Sequence, residues 1–179
     1  MKIFTNAVML CVLAMAFLSA CKKDSDDFVY AERFNKSYKA WLSFKASAND
    51  KYSFVVLRER RGTFREDIQT TITVDSGKVK KRSYARTKIA QAGNEVVEEW
   101  TEEGEDLGTH GSGFPLQVMN MDQFYAHVKT VILKYNPDHE YQFAADNGGI
   151  ISSASVQSKT VRCTDDCISG YFVKNITKL

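Results

Sequence analysis

An apolar segment near the N-terminus decides how much of this chain is available to fold. It runs from Ala7 to Ala20 and follows a single early cation, Lys2. Its 14 residues fall short of the ~20 that a helix needs to cross a bilayer. A basic start, an apolar core and small residues at the end are the layout of a secretory signal. We therefore expect residues 1–20 to be removed, which leaves 159 of the 179 residues to fold.

The end of that segment carries a more specific pattern. Leu18-Ser19-Ala20-Cys21 fits a small-x-small cleavage site poorly and resembles the lipobox of bacterial lipoproteins. The resemblance implies that Cys21 is acylated on its sulfur, that the chain is cut just before it, and that the new amine is acylated too. Because two or more acyl chains hold a protein stably, we expect attachment to a membrane through this lipid anchor, without a membrane span. The alternatives are an uncleaved anchor or a chance cysteine.

A polar stretch, Lys22-Lys-Asp-Ser-Asp-Asp27, follows Cys21. Lysine stands where lipoproteins kept at the inner membrane have aspartate, which favours the outer membrane. The acidic residues resemble a surface-export tag of one Gram-negative lineage, while a simple tether is the plainer interpretation. Exposure at the cell surface or on the periplasmic face is left undecided. The expected organisation is a signal peptide (1–20), a lipidated cysteine with its tether (21–27) and a single domain (28–179).

The composition favours one folded domain without affinity for nucleic acid. Lys2 leaves with the signal, so 23 basic side chains are balanced by 22 acidic ones. A near-neutral chain has no general attraction to polyanions. Aromatic residues make up 12% of the sequence and there are only two prolines, which is typical of a packed domain of sufficient length to bury a core.

Cys163 and Cys167 are the two cysteines that remain when Cys11 leaves with the signal and Cys21 takes lipid. In an oxidising, exported setting their C-x₃-C spacing favours a local disulfide that closes a tight loop. A metal site is the alternative, but two thiols are half of a zinc set and no second C-x-x-C or H-x₃-H is present. A redox motif would have two intervening residues instead of three. We predict no metal and no cofactor.

The apolar pattern predicts a helix followed by an antiparallel meander. From Asp27 to about Ala48, apolar residues recur in steps of three and four, namely Tyr30, Phe34, Tyr38, Trp41, Leu42 and Phe44. The segment 51–60 alternates as a strand. A second strand carries Ile68, Thr70, Ile72 and Val74 on one face, and a third, 78–84, returns after the hairpin turn at 75–77.

The second half repeats this order. The segment 95–101 is a candidate for a further strand, and the glycine-rich stretch 104–115 is a loop. A second helix is expected from Asn120 or Asp122 to about Tyr135, with an inner face made of Phe124, Val128, Val131, Ile132 and Tyr135. Three more strands are expected at 141–145, 150–156 and 171–176. The predicted fold class is α+β, with two helices packed on one face of an antiparallel sheet and a helix–strand–strand–strand order that occurs about twice.

Several short segments together resemble a bacterial family of uncharacterised envelope domains. They are Trp41, Tyr52-Ser-Phe54, Val74-Asp-Ser-Gly-Lys-Val79, Tyr84, Met121-Asp-Gln-Phe-Tyr125 and Tyr135-Asn-Pro-Asp-His139. The resemblance covers most of the mature chain, and the Cys163–Cys167 loop is an addition to the general pattern. It implies a fold and an envelope location, but no activity.

The sequence assigns no catalytic residue. His110, His127 and His139 are isolated, and a histidine needs partners that the fold brings to it. The loop around His110 lacks the lysine of a P-loop, and Ser112 does not lie in a G-x-S-x-G elbow. His127 is expected to be a packed or surface histidine.

The charges fall into acidic and basic runs. The acidic run spans 98–106, and basic residues cluster at 58–65 and 78–82. Solvated strand edges explain both, and the functional interpretation is a docking face for an anionic partner such as a glycan or a lipid headgroup. The leading hypothesis is a non-enzymatic binding or interaction module of the cell envelope, of unknown ligand. The alternative is an envelope or extracellular hydrolase that uses paired carboxylates.

Overall fold

A seven-stranded antiparallel sheet forms the body of the protein. The structure is a computed structural model that describes residues 28–61, 65–160 and 168–179. Within these residues the sheet order is β4-β3-β2-β1-β7-β6-β5, and neighbouring strands pair antiparallel. The strands are β1 (Tyr52–Arg61), β2 (Arg65–Asp75), β3 (Lys78–Ala90), β4 (Gly93–Glu103), β5 (His139–Ala144), β6 (Ser153–Ser158) and β7 (Ile168–Lys178).

Two helices accompany the sheet, α1 (Ala31–Ser47) and α2 (Met121–His127). The prediction of an α+β chain with two helices and an antiparallel sheet is confirmed at this level. The candidate strand at 95–101 forms as β4, so four strands follow α1 and three follow α2. The two halves therefore differ in their number of strands.

Helix α1 follows the predicted apolar stripe. Phe34 and Trp41 are buried as predicted, but the prediction is wrong for Leu42, which is 44% exposed because it follows Trp41 by one residue and lies beside the buried face. The helix is preceded by Tyr30 in a left-handed conformation. It ends where Asn49 and Asp50 both adopt positive φ, which a right-handed helix does not allow.

Helix α2 begins with a capping box. The Asn120 side chain accepts a hydrogen bond from the Gln123 N–H, and the Gln123 side chain accepts one from the Asn120 N–H. After His127 the helix widens into a π-helical turn, Val128–Ile132, closed by a hydrogen bond from Leu133 N to Val128 O at 2.9 Å.

This wider turn overturns part of the predicted inner face of α2. Val131 is 57% exposed, although a regular helix would bury it, and Tyr135 is 63% exposed because the helical turn ends at Ile132 and not near Tyr135 as predicted. A π turn spaces the inward positions five residues apart, so Leu133 is buried in their place. Phe124, Val128 and Ile132 are buried as expected.

One face of the sheet, here called the inner face, carries Tyr52, Phe54 and Val56 of β1 and packs against both helices. The Trp41 ring of α1 meets Tyr52 edge-on at 4.9 Å, and the Phe124 ring of α2 lies 6.2 Å from Phe54. Burial of each such side chain contributes about 1.5–3 kcal/mol relative to leaving it exposed. This aromatic layer is the hydrophobic core.

The inner face continues onto β3 and β4, beyond the reach of the helices. There it is covered by residues 107–118, here called the long loop, which connects β4 and its 3₁₀ turn (Gly104–Asp106) to α2. Leu116 is 2% exposed, and its N–H donates to Thr70 Oγ1 on β2 at 3.0 Å. The long loop is thus a packed part of the fold.

Candidate ligand-binding site

A buried ion pair lies beneath the long loop. The β3–β4 register places Arg82 opposite Glu102, and their side chains are 4% and 0% exposed. The guanidinium binds the carboxylate through two hydrogen bonds, Nε to Oε2 at 2.8 Å and Nη2 to Oε1 at 2.9 Å. A buried charge pair of this kind needs further hydrogen bonds to offset its lost hydration.

The long loop supplies those hydrogen bonds. Glu102 accepts from the backbone N–H groups of Gly108 and His110 and lies 3.0 Å from the Nδ1 atom of His110. Arg82 donates to the carbonyl oxygens of His110 and Leu116. The ion pair therefore fixes the long loop to the sheet through the backbone groups of Gly108, His110 and Leu116.

These contacts keep Glu102 ionised. Burial alone would raise the pKa of this carboxyl, but hydrogen bonds from Gly108, His110 and Arg82 outweigh burial and lower the pKa to about 2. A carboxylate in this state serves as a permanent acceptor. It has no proton to give as a general acid near neutral pH.

An aromatic stack supports the same loop. Trp100 of β4 lies between Tyr84 and His110, with ring centroids 4.9 and 4.6 Å away and planes tilted by 14° and 17°. The Tyr84 hydroxyl donates to the carbonyl oxygen of Gly113 at 2.7 Å. At Gly113 the φ angle is +80° and a Cβ would collide with the Tyr84 hydroxyl, so this position requires glycine.

The acidic run on β4 faces the basic residues of β3, where Lys81 lies 2.8 Å from Glu103. Arg86, which follows the basic run on β3, lies 3.1 Å from Glu98 and 3.0 Å from Glu66 of β2. The expectation of solvated edges holds for Lys81 and Glu103, whose side chains are 43% and 59% exposed. It is wrong for Arg82 and Glu102, because the long loop covers them.

Arg58 of β1 differs from these arginines. Within the described residues it has no carboxylate partner, and its guanidinium carbon lies 5.9 Å from the Phe114 ring centroid and 5.8 Å from that of Tyr171. The side chain is half-buried. A cation held between two aromatic rings, without a counter-charge, points to a place where an anion can bind.

The two rings beside Arg58 are held in different ways. Phe114 is 58% exposed and has φ +62°, a left-handed conformation that is costly for a bulky residue. Tyr171 of β7 packs edge-on against Phe124 at 5.4 Å, and its hydroxyl lies 3.2 Å from His127 Nε2. Burial lowers the pKa of His127, so its ring is largely neutral at pH 7.

Of the predicted candidate residues, the structure describes only the three histidines, and each has different neighbours. Cys21, Cys163 and Cys167 lie outside the described residues, so lipidation and the disulfide stay predictions. His127 is half-buried against Tyr171, His110 is bound to Glu102, and His139 lies at the start of β5 beside the Tyr141 ring. No group of three or more metal-ligating side chains occurs within the described segments.

The sequence placed Arg58 in the basic run of the predicted docking face but did not single it out from its neighbours, although a signal was present. In β1 the inner positions Tyr52, Phe54 and Val56 are apolar, and the next inner position is Arg58. A cation that continues an apolar stripe onto a covered face needs an explanation. Its aromatic neighbours could not be found this way, because they come from the long loop and from β7.

The fold and this site define an α+β protein with an aromatic and cationic surface beside its long loop. The chain matches no protein-family model, no curated protein and no solved structure. Among the described residues, neither helix is long and apolar enough to pass through a membrane.

Proposed function

We propose that this chain is a lipid-anchored protein of the bacterial outer membrane whose domain binds a ligand and does not catalyse a reaction. Support for the anchor comes from Leu18-Ser19-Ala20-Cys21, which resembles a lipobox and follows an apolar segment too short to span a bilayer. The resemblance of the domain to uncharacterised envelope proteins accords with this location and stays a prediction.

The tether limits how far the domain lies from the lipid. The described fold begins at Phe28, which is buried and forms a bridge with Lys134. The chain from Cys21 to Phe28 can extend to at most about 25 Å. A domain on so short a tether stays close to the membrane surface and can present a ligand-binding site there.

The observation that carries the binding function is Arg58, a half-buried cation between two aromatic rings with no carboxylate partner in the described chain. Two other arginines on the inner face, Arg82 and Arg86, are paired with carboxylates. An unpaired guanidinium beside an exposed aromatic ring is arranged to receive a group from outside the chain.

The alternative, a hydrolase with paired carboxylates, has less support. Glu66 and Glu98 are both bound by the same guanidinium, that of Arg86. Glycosidase chemistry needs one carboxyl with a raised pKa to act as an acid. The carboxyl of Glu102 does not meet this need, because its hydrogen bonds lower its pKa to about 2.

The anchor is tested by comparing wild type with Cys21→Ala, and with Cys11→Ala as the matched control. Wild type and Cys11→Ala should fractionate with membranes and show the added mass of lipid, whereas Cys21→Ala should be released or stay unprocessed. Protease treatment of intact cells distinguishes surface exposure from the periplasmic face. A wild-type protein without lipid mass would overturn the anchor.

A further inference from the structure

We infer that Arg58, Phe114 and Tyr171 form a binding site for the carboxylate of an acidic sugar, as found in uronic-acid polysaccharides. This inference rests on the proposed function, because an exported binding module meets extracellular polysaccharides. It adds a ligand class and names the residues that select it.

The first step concerns charge. Arg82 and Arg86 are each within 3.1 Å of at least one carboxylate, so their charges are neutralised inside the fold. Arg58 has lost part of its hydration without gaining such a partner in the described residues. A bound anion would neutralise the charge of Arg58 and offset its lost hydration. A carboxylate suits a planar guanidinium best, because it can accept two parallel hydrogen bonds from it.

The second step concerns orientation. The guanidinium carbon of Arg58 lies within 5.9 Å of the ring centroids of both Phe114 and Tyr171, and cation–π attraction to the two rings favours this placement of the side chain. Tyr171 is itself restrained by the ring of Phe124 and by the hydrogen bond to His127. The Arg58 side chain is thus partly restrained before a ligand arrives, which lowers the entropy cost of binding.

The third step concerns the shape of the ligand. Phe114 has an unfavourable backbone conformation and yet holds its ring 58% exposed, next to the cation. The ring offers a flat apolar surface that the C–H side of a sugar ring can cover.

The test uses the mature lipidated protein in detergent micelles and isothermal titration with trigalacturonate. Wild type should bind trigalacturonate, while the methyl-esterified trimer, which has the same rings without the charges, should not bind measurably. Arg58→Gln should weaken binding about 10- to 100-fold, the range expected for loss of a charged hydrogen bond. The affinity of Arg58→Lys for trigalacturonate should lie between those of wild type and Arg58→Gln, because lysine keeps the positive charge but cannot donate two parallel hydrogen bonds to one carboxylate.

Two further variants separate the site from general charge effects. Arg33→Gln is the matched control, since Arg33 also lies over an aromatic ring, 5.4 Å from Tyr30, but on the exposed side of α1. It should leave the affinity unchanged. Phe114→Gly removes the ring and relieves the backbone, so it should weaken binding without lowering the unfolding midpoint.

Several outcomes would overturn the inference. They are no binding of trigalacturonate, equal binding of its methyl ester, unchanged affinity in Arg58→Gln, or displacement by inorganic phosphate at the same ionic strength. None of these affects the lipid mass on Cys21 or the membrane fractionation, so failure of the ligand assignment is distinguishable from failure of the proposed anchor.

Discussion

The inner face of the sheet is covered in two different ways. Its helix-covered part, around Tyr52, Phe54 and Val56, is apolar and packs against aromatic rings of α1 and α2. Its loop-covered part, around Arg82 and Glu102, is held by an ion pair and backbone hydrogen bonds. Apolar packing depends mainly on side chains of the right volume and tolerates small shifts in their positions. The ion pair and its hydrogen bonds depend on the charge and the orientation of each group.

This difference has a consequence for function. A helix can pack onto many apolar surfaces, but its regular rise of 1.5 Å per residue limits where each side chain can be placed. A loop tied down by directional bonds can instead hold a strained residue such as Phe114 in one position beside Arg58. The polar part of the inner face therefore supports the proposed site, and the apolar part supplies stability.

The largest effect is expected in the helix-covered part, from Trp41→Ala. Trp41 is fully buried, meets the Tyr52 ring edge-on and donates to Asp122. Its removal should lower the free energy of unfolding by about 3–5 kcal/mol, measured in urea. The adjacent variant Leu42→Ala should change it by less than about 0.5 kcal/mol, because Leu42 is largely exposed. Equal effects of the two would contradict the packing described.

The next effect is expected in the loop-covered part, from Glu102→Gln. The amide would leave Arg82 without its counter-charge and would turn an N–H₂ group toward backbone donors of the long loop. We expect a loss of about 3 kcal/mol in the free energy of unfolding. Glu103→Gln is the control, since its pair with Lys81 is exposed and worth under about 1 kcal/mol.

A double variant sharpens the comparison between the two parts. If direction and charge hold the loop, Arg82→Met with Glu102→Leu should recover part of the stability that Glu102→Gln loses, because both charges leave together. The double variant should still lose the backbone hydrogen bonds to the loop. Full recovery would show that the buried pair does not hold the loop in place.

Acid should weaken the loop-covered part selectively. The pKa of Glu102 is about 2 in the folded protein against 4.5 unfolded, so the unfolded chain binds the proton more readily. The stability from this group is fully present above about pH 4.5 and is lost as the pH falls toward about 2. The stability difference between wild type and Glu102→Gln should therefore shrink over this window in urea titrations, and a constant difference would contradict the assignment.

The sequence predicts the helix-covered part better than the loop-covered part, for a physical reason. Strands β1 to β3 and the stripe of α1 follow local rules, alternation by two and steps of three and four, which the residue order displays directly. The exposed Val131 was mispredicted because a π-helical turn breaks the regular helical period after His127, and Tyr135 was mispredicted because that turn ends at Ile132.

The site depends on contacts between distant segments. Arg82 meets Glu102 only through the β3–β4 register, which shifts between Arg86 and Thr87, and no periodicity locates such a shift. Arg58 acquires Phe114 and Tyr171 from two segments far along the chain. The sequence did show Arg58 itself, as a cation at the end of the apolar stripe of β1.

The smallest effect is expected from Gly113→Ala, which tests whether the loop positions the site. Alanine at φ +80° costs about 1–2 kcal/mol, and its Cβ would displace the Tyr84 hydroxyl from the Gly113 carbonyl. Gly111→Ala, where a Cβ meets nothing within 4 Å, should be nearly neutral in the same unfolding measurement. Because Gly113 precedes Phe114, its variant should also weaken trigalacturonate binding. Lowered stability with unchanged binding would mean that the loop stabilises the fold without positioning Phe114.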